Sequence, residues 1–243
     1  LGAIVLIPFG VYLPTFNYFL LMIISGALFF VGLMFLYKTV KESDVSIAAA
    51  QVGTMSVVFT YLFSIVILKD ILSPINFLAF LFLVLGIFLL GKIERRILIW
   101  AIFAGVSFGA YYVLLKLSFN VAGFVNGLFW TRVGFVGSAF ASLIFSHVRS
   151  EVIFTYRHSP GRSKLLFVFN KLLAAAGFIV LYFAINIGNV SLVNGLLGIQ
   201  FLLVFILTLF LGGKIPEIRE KTDRTAISHK LSGILAVLIG FLI

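Results

Sequence analysis

The amino-acid sequence predicts an all-α polytopic membrane protein, a helical bundle built on an inverted repeat. Three observations predict it. Of 243 residues, 62% are apolar and only 11% charged, against roughly 25% charged in an ordinary soluble domain; a soluble globule of this size could not hide so much apolar surface. The apolar residues fall into runs that are apolar all round, as lipid-buried helices are, and do not alternate as the strands of a membrane barrel would. A segment near the start of the chain also recurs near its end with its loop charges reversed. The composition excludes disordered, collagen-like and nucleic-acid-binding classes. The net charge of +10 reads instead as cytoplasmic loops facing anionic lipid.

A membrane-spanning helix needs roughly 20 apolar residues. Charged loops and Pro, Gly or Asn breaks cut the chain into nine candidate spans. The first, 1–13, is apolar from Leu1 and closes near Pro14. It is too short to cross, and it lacks the basic region of a signal peptide, so it reads as a helix whose beginning is missing. The second, 18–37, closes at Lys38 and Lys41; the third, 46–68, runs from Asp44 to Lys69 and Asp70. The fourth, 75–91, follows Pro74 and closes at Lys92; the fifth, 97–115, lies between Arg95–Arg96 and Lys116. The sixth, 123–146, opens at Gly123 and runs into a charged stretch, 147–165, whose apolar Val152–Tyr156 patch suits the membrane interface. The seventh, eighth and ninth are 166–187, 192–212 and 231–243, separated by Gly188–Asn189 and by a basic loop ending at Lys230.

Numbered alternately, the loops divide the basic residues unevenly. One side carries Lys38, Lys41, Lys92, Arg95, Arg96, Arg149, Arg157, Arg162, Lys164, Lys214, Arg219, Lys221, Arg224 and Lys230, and the other only Lys69 and Lys116. The richer side is expected in the cytoplasm, which places the C-terminus outside. Arg132 and Lys171 remain within spans.

The repeat emerges when residues 32–69 are laid on 177–214. Identities fall at Gly32/Gly177, Leu36/Leu181, Tyr37/Tyr182, Val45/Val190, Ser46/Ser191, Gly53/Gly198, Leu62/Leu207 and Lys69/Lys214, and Gly86 meets Gly240 after nine extra residues. Loop 38–45 carries two lysines while its counterpart 183–190 carries no charge; loop 69–74 carries one lysine while its counterpart 214–230 carries five basic residues. Equivalent loops on opposite sides of the membrane are what an inverted-topology repeat with an odd number of helices produces.

The stretch Tyr37 to Leu90 carries a resemblance to a known family. It reads Tyr-Lys-Thr-Val-Lys, then Asp44-Val-Ser-Ile-Ala-Ala-Ala-Gln51, Val58-Phe-Thr-Tyr-Leu-Phe-Ser, Leu68-Lys-Asp70-Ile-Leu-Ser73 and Gly86-Ile-Phe-Leu-Leu90. The second copy, from Ala174 onward, shows Val190-Ser191, Gln200 and Gly233 to Gly240. In this the chain resembles the EamA-like type of the drug/metabolite transporter superfamily over nearly its whole length. The resemblance implies ten helices in two five-helix repeats, with the first helix missing here: residues 1–91 as the first repeat, 92–96 as a basic linker and 97–243 as the second. Two departures stand out. The family often has Pro where this chain has Thr54 to Val57, and its members usually keep both termini in the cytoplasm.

Charge and polarity inside the spans mark the candidate substrate-binding residues, since both are expensive in lipid. They are Gln51, Thr54, Asn126, Trp130, Arg132, Lys171, Tyr182 and Asn194. Arg132 lies deep in its span among apolar helical neighbours; it either serves a substrate or snorkels to headgroups. Lys171, Phe178, Tyr182 and Asn186 form one helical stripe, a cavity lining or a helix contact. Gln51 and Thr54 share a face with Tyr61, and Asn194 one with Ser191, Gly195 and Gly198. These are repeat-related helices, where inverted repeats place their sites, although interhelical hydrogen bonding gives the same pattern. The pairs Gly105/Gly109 and Gly123/Gly127 read as close-packing positions, and Trp100 and Trp130 as interface anchors, with a cavity-lining role open to Trp130.

No Cys is present, and the three His, at 147, 158 and 229, fall in expected loops. Neither a metal site nor a cofactor is expected. No phosphate loop, Ser-His-Asp set or carboxylate pair argues for an enzyme. No carboxylate lies inside any span, which disfavours an organic-cation substrate. The expectation is a multi-pass plasma-membrane secondary transporter of a small anionic or zwitterionic metabolite, working by alternating access. Its partners are the lipid bilayer and that metabolite, with no nucleic acid, and a homodimer is one oligomeric state open to it. The alternative is a membrane-embedded scaffold or subunit without transport activity.

Overall fold

Backbone amides in hydrocarbon must bond within their own segment, which makes helices the default for apolar runs of this length. A computed structural model describes residues 4–43, 45–90, 94–158, 160–198, 200, 203 and 224–243. Among these the regular elements are all helical, with no strand. They are α1 (Phe16–Glu42), α2 (Val45–Phe63) continued by a π-helical turn (Ser64–Leu68), α3 (Pro74–Leu90), α4 (Leu98–Ser142), α5 (Ser146–His158), α6 (Gly161–Ile187), α7 (Val190–Leu196) and, last in the chain, α8 (Arg224–Leu242). Phe16–Glu42, Ile47–Leu68, Leu98–Ser142 and Leu165–Ile187 are long and apolar enough to cross a membrane, and Pro74–Leu89 is a shorter apolar helix.

Several expected boundaries move. Ile4–Phe9 forms a short 3-10 helix around Pro8, and Gly10 turns at a φ of 83°. The described part of the expected first span, residues 4–13, is therefore not a membrane-spanning α-helix: Pro8 has no N–H to give, and Gly10 takes a backbone conformation that breaks the run. The loop expected at 116–122 is absent, because α4 stays helical through it and breaks only at Gly123, at φ 75° and ψ 166°. A Cβ built on Gly127 would lie 3.0 Å from the carbonyl carbon of Ser118. Nine residues of straight helix span about 13 Å, so the chain doubles back at Gly123. Gly123 itself meets nothing within 4 Å; it is a turn glycine and not the packing position expected, while Gly127 does pack. Lys38 and Lys41 belong to α1, Lys116 to α4, and His147, His158 and His229 to helices where loops were expected. The charged stretch 147–165 holds all but the first residue of α5, and α6 begins at Gly161, five residues before the expected span. Residues 1–3, Asp44, 91 at the end of the expected fourth span, 92–93 of the expected linker, Ser159, most of the 192–212 span and the basic loop through residue 223 lie outside the described residues.

The chain divides into two compact units, each drawn from both halves of the sequence. One comprises residues 1–30 and 114–188, the other 31–113 and 189–243.

In the first unit, α1 and the second limb of α4 cross in close contact. A Cβ on Gly26 would collide with the main chain of Thr131, Gly134 and Phe135, and one on Gly134 with that of Ile23. Small residues here let two backbones touch, the usual way membrane helices associate without a hydrophobic driving force. In the second unit, α3 and α8 run antiparallel about two glycines: Gly86 faces Val237 and Gly233, and Gly240 faces Ala79 and Leu83. Gly105 and Gly109 in the first limb of α4 lie against Met55 and against Phe59–Thr60 of α2, the close packing their four-residue spacing predicts. Val57, Leu72, Phe80 and Ile87 form the buried centre of this unit.

Candidate functional site

Arg132 stands nine residues after the turn at Gly123 and ten before the end of α4 at Ser142. At 1.5 Å per residue it is about 13 Å from one end of its limb and about 15 Å from the other, which is the depth of a bilayer midplane. Its guanidinium donates a hydrogen bond of 2.5 Å to the hydroxyl of Tyr182 on α6. Three rings surround it, with centroids 4.8 Å (Tyr182), 5.6 Å (Phe178) and 6.0 Å (Phe29) from Cζ. Tyr182 is 1% exposed and Phe29 7%, so the rings are fixed by packing. Phe178 and Tyr182 stack at 5.7 Å with 17° between their planes, and Phe29 meets Phe178 edge-on at 6.2 Å.

This is a cation held by π-faces and a phenol. Each ring face contributes roughly 0.5–2 kcal/mol, more as water is excluded. A guanidinium has five N–H donors, and among the described residues no carboxylate forms an ion pair with this one. Arg132 is half-buried, and drawing a cation out of water is costly. The arrangement offsets that cost in part and leaves a planar donor set suited to a carboxylate or phosphate.

The other expected residues take different places. Asn126, 6% exposed, accepts the N–H of Tyr12 through Oδ1 at 2.9 Å, and Trp130 Nε1 donates to the Tyr12 carbonyl at 2.9 Å. One helical turn of α4 thus holds both main-chain groups of Tyr12 in the extended stretch before α1. Asn126 Oδ1 and Trp130 Nε1 each have a main-chain partner. Lys171 shares a stripe with Tyr182, but eleven residues of helix put them about 16 Å apart along the axis. It is exposed and sits 5.2 Å over the ring of Phe167, away from Arg132. A cation the sequence assigns to a loop has a defined partner: Lys116 Nζ donates to the carbonyls of Asn186 at 2.7 Å and Gly188 at 3.0 Å, which closes the C-terminus of α6 where cations are favoured.

The second unit holds a separate polar cluster. Asn194 on α7 is 3% exposed, and its Nδ2 donates to Thr60 Oγ1 at 2.7 Å and Ser56 Oγ at 3.1 Å on α2. Thr60 in turn donates to the Ser56 carbonyl at 2.7 Å. Asn189 caps α7, accepting the N–H groups of Ser191 and Leu192 at 2.9 and 3.2 Å while donating to Asp70 Oδ2 at 2.6 Å. The hydroxyls of Ser64 and Ser191, both 0% exposed, have no partner among the described residues. Sequence reasoning placed Asn194 in this region but missed Ser56, Thr60 and Asn189. The last carried a legible signal, an Asn directly before a helix start.

Gln51 and Thr54 are buried but engaged elsewhere. Gln51 grips the main chain of Glu94, donating from Nε2 to its carbonyl at 3.4 Å and accepting its N–H at Oε1 at 3.3 Å, while Thr54 donates to the Ala50 carbonyl at 2.9 Å. Trp100, the expected interface anchor, carries Lys38 Nζ 3.3 Å from its ring centroid and stacks with Phe35.

Compared with known proteins, the chain matches no family model and no curated protein.

Proposed function

We propose that the chain is a plasma-membrane secondary transporter of the drug/metabolite type its sequence resembles, carrying a small anionic or zwitterionic metabolite. The observation that carries this reading is Arg132: a cation at mid-limb depth, flanked by Phe29, Phe178 and Tyr182 and lacking a carboxylate partner among the described residues. A metabolite carboxylate or phosphate meets that donor set in two parallel hydrogen bonds, whereas a permanent organic cation would face an unscreened like charge.

The repeat reading gains support from which helices touch. Residues 45–63 correspond to 190–208, and Gly86 to Gly240, in the sequence repeat. The described parts of these equivalent segments pack on one another, α2 with α7 and α3 with α8. Substrate paths in inverted repeats run between such equivalent elements.

The test is reconstitution in liposomes. Uptake of organic anions or amino acids is expected, with little response to quaternary ammonium compounds. Arg132→Gln should lower uptake at least tenfold while reducing purified yield far less, the scale of losing one charge-assisted hydrogen-bond pair. Robust transport of a permanent cation that Arg132→Gln leaves unchanged refutes the reading. A protein that folds but moves no solute of either charge is the scaffold alternative.

A further inference from the structure

We propose that α5 is an in-plane helix that binds the headgroups of anionic phospholipids at one membrane surface. Its thirteen residues span about 20 Å, too short for a hydrocarbon core of roughly 30 Å. It cannot stand away from the bilayer either. Three residues, 143–145, join it to α4 and two, 159–160, join it to α6. Both neighbours are apolar helices of membrane-crossing length. Its two ends are therefore held at the same bilayer surface, and it lies along that surface.

The side chains divide accordingly. Val148, Val152 and Tyr156 recur every four residues and form one apolar stripe, adjoined by Ile153. Ser150, Glu151, His147 and His158 occupy the opposite side, where Glu151 faces His147 at 3.6 Å and the exposed Phe154 lies against the His158 ring at 4.1 Å. No residue of α5 is buried in the protein. Val152 is 51% exposed, Ile153 46% and Tyr156 69%. The apolar exposure continues at both ends, through Ile144 and Phe145 before α5 and Leu165, Leu166 and Phe167 after it. An apolar strip of this extent in water would be an aggregation hazard; in the headgroup region it is buried among acyl chains.

Charge selects the lipid. At 100° per residue Arg149 falls between Tyr156 and Ile153 and Arg157 just beyond Ile153, and Arg162 and Lys164 follow in sequence, so residues 146–164 carry four fixed positive charges against the single acid Glu151. Arginine stems can lie on the apolar side with their heads raised to phosphate level. Each basic residue near an anionic surface strengthens binding by roughly fivefold.

The absence of native Cys makes the experiment clean. Single cysteines at positions 148, 150, 152, 154 and 156 are spin-labelled in the full chain, reconstituted in nanodiscs containing roughly a third phosphatidylglycerol. Oxygen accessibility should peak at 148, 152 and 156 and fall at 150 and 154. Uniform water accessibility at all five sites overturns the in-plane placement. Headgroup choice is read from a fluorescent label at position 152, quenched by brominated phosphatidylglycerol or brominated phosphatidylcholine. The preference for the anionic lipid should fall roughly fivefold for Arg149→Gln and again for Arg157→Gln, and survive Arg149→Lys. A preference indifferent to both glutamine variants refutes the anionic selectivity. Both variants lie on an exposed helix, so a folded protein is expected in each case.

Discussion

Asn194→Ala removes a side chain that bridges α7 to α2 through two hydroxyls at once. The bonds at 2.7 and 3.1 Å are neutral and buried, each worth about 0.5–1.5 kcal/mol net. The variant should therefore lose about 1–3 kcal/mol of stability. A double-mutant cycle with Thr60→Ala isolates the shorter bond. The hydroxyl of Thr60 also donates to the Ser56 carbonyl within its own helix, so the single variant Thr60→Ala mixes a local loss with the interhelical one and the cycle is needed to separate them. Coupling in membrane bundles averages about 0.6 kcal/mol and reaches about 1.7. The short distance and the burial of Asn194 and Thr60, 3% and 0% exposed, place this pair in the upper half of that range. Denaturant unfolding of the purified protein in a fixed detergent, followed by helical circular dichroism, reads all four corners. A coupling below about 0.3 kcal/mol, the ordinary scatter of additive sites, would refute the bridge.

Two further outcomes follow from packing. Gly26→Leu and Gly109→Leu should each cost folded yield and melting temperature heavily, since the built Cβ at Gly109 already lies 2.8 Å from the main-chain nitrogen of Thr60 and that at Gly26 would collide with main chain. Gly177→Leu, with nothing within 4 Å, should melt like wild type. Ser64→Ala should be neutral or stabilise by about 1 kcal/mol in the same unfolding assay, because it deletes a buried hydroxyl that has no partner among the described residues. A clear loss of stability would mean that the hydroxyl is bonded after all.

Most helix positions and the close contacts of Gly105 and Gly109 were legible because both follow from local pattern: apolar run length for the first, four-residue spacing of small residues for the second; Gly127 also packs, but its spacing partner Gly123 is a turn. Tyr182 and Phe178 fall on one stripe of α6 by helical period alone, and Arg132 stands out as a charge in an apolar span. Their meeting was not legible, since it depends on which faces of α4 and α6 turn toward each other. The same limit explains Gln51. Period places it with Thr54 and Tyr61, but its amide is spent on the main chain of Glu94, 43 residues away. Helix α2 carries polar groups on more than one face, so periodicity could not choose Ser56 and Thr60 over Gln51 and Thr54 as the partners of Asn194. Lys171 stayed open between cavity lining and surface for a simpler reason: a stripe fixes direction about the helix axis but says nothing of the 16 Å or so along it. The apolar start of the chain was misread because a run of hydrophobic residues outweighed Pro8 and Gly10.

The reversal at Gly123 bears on how this chain is built into a bilayer. With a single glycine between its limbs, α4 offers an insertion machinery no hydrophilic loop to pass across as a separate event. If both limbs cross the bilayer, so short a turn is expected to bring them out of the translocation channel together, as one hairpin. A centrally placed Arg costs about 2.5–3.5 kcal/mol when its helix partitions alone. Arg132, nine residues past the turn, enters with the second limb of that hairpin. A bulky residue at position 123, where φ is 75°, would strain the hinge on which that joint entry depends. Its effect would then fall on the fraction of new chains that reach the membrane, before any measurement on the mature protein could register it.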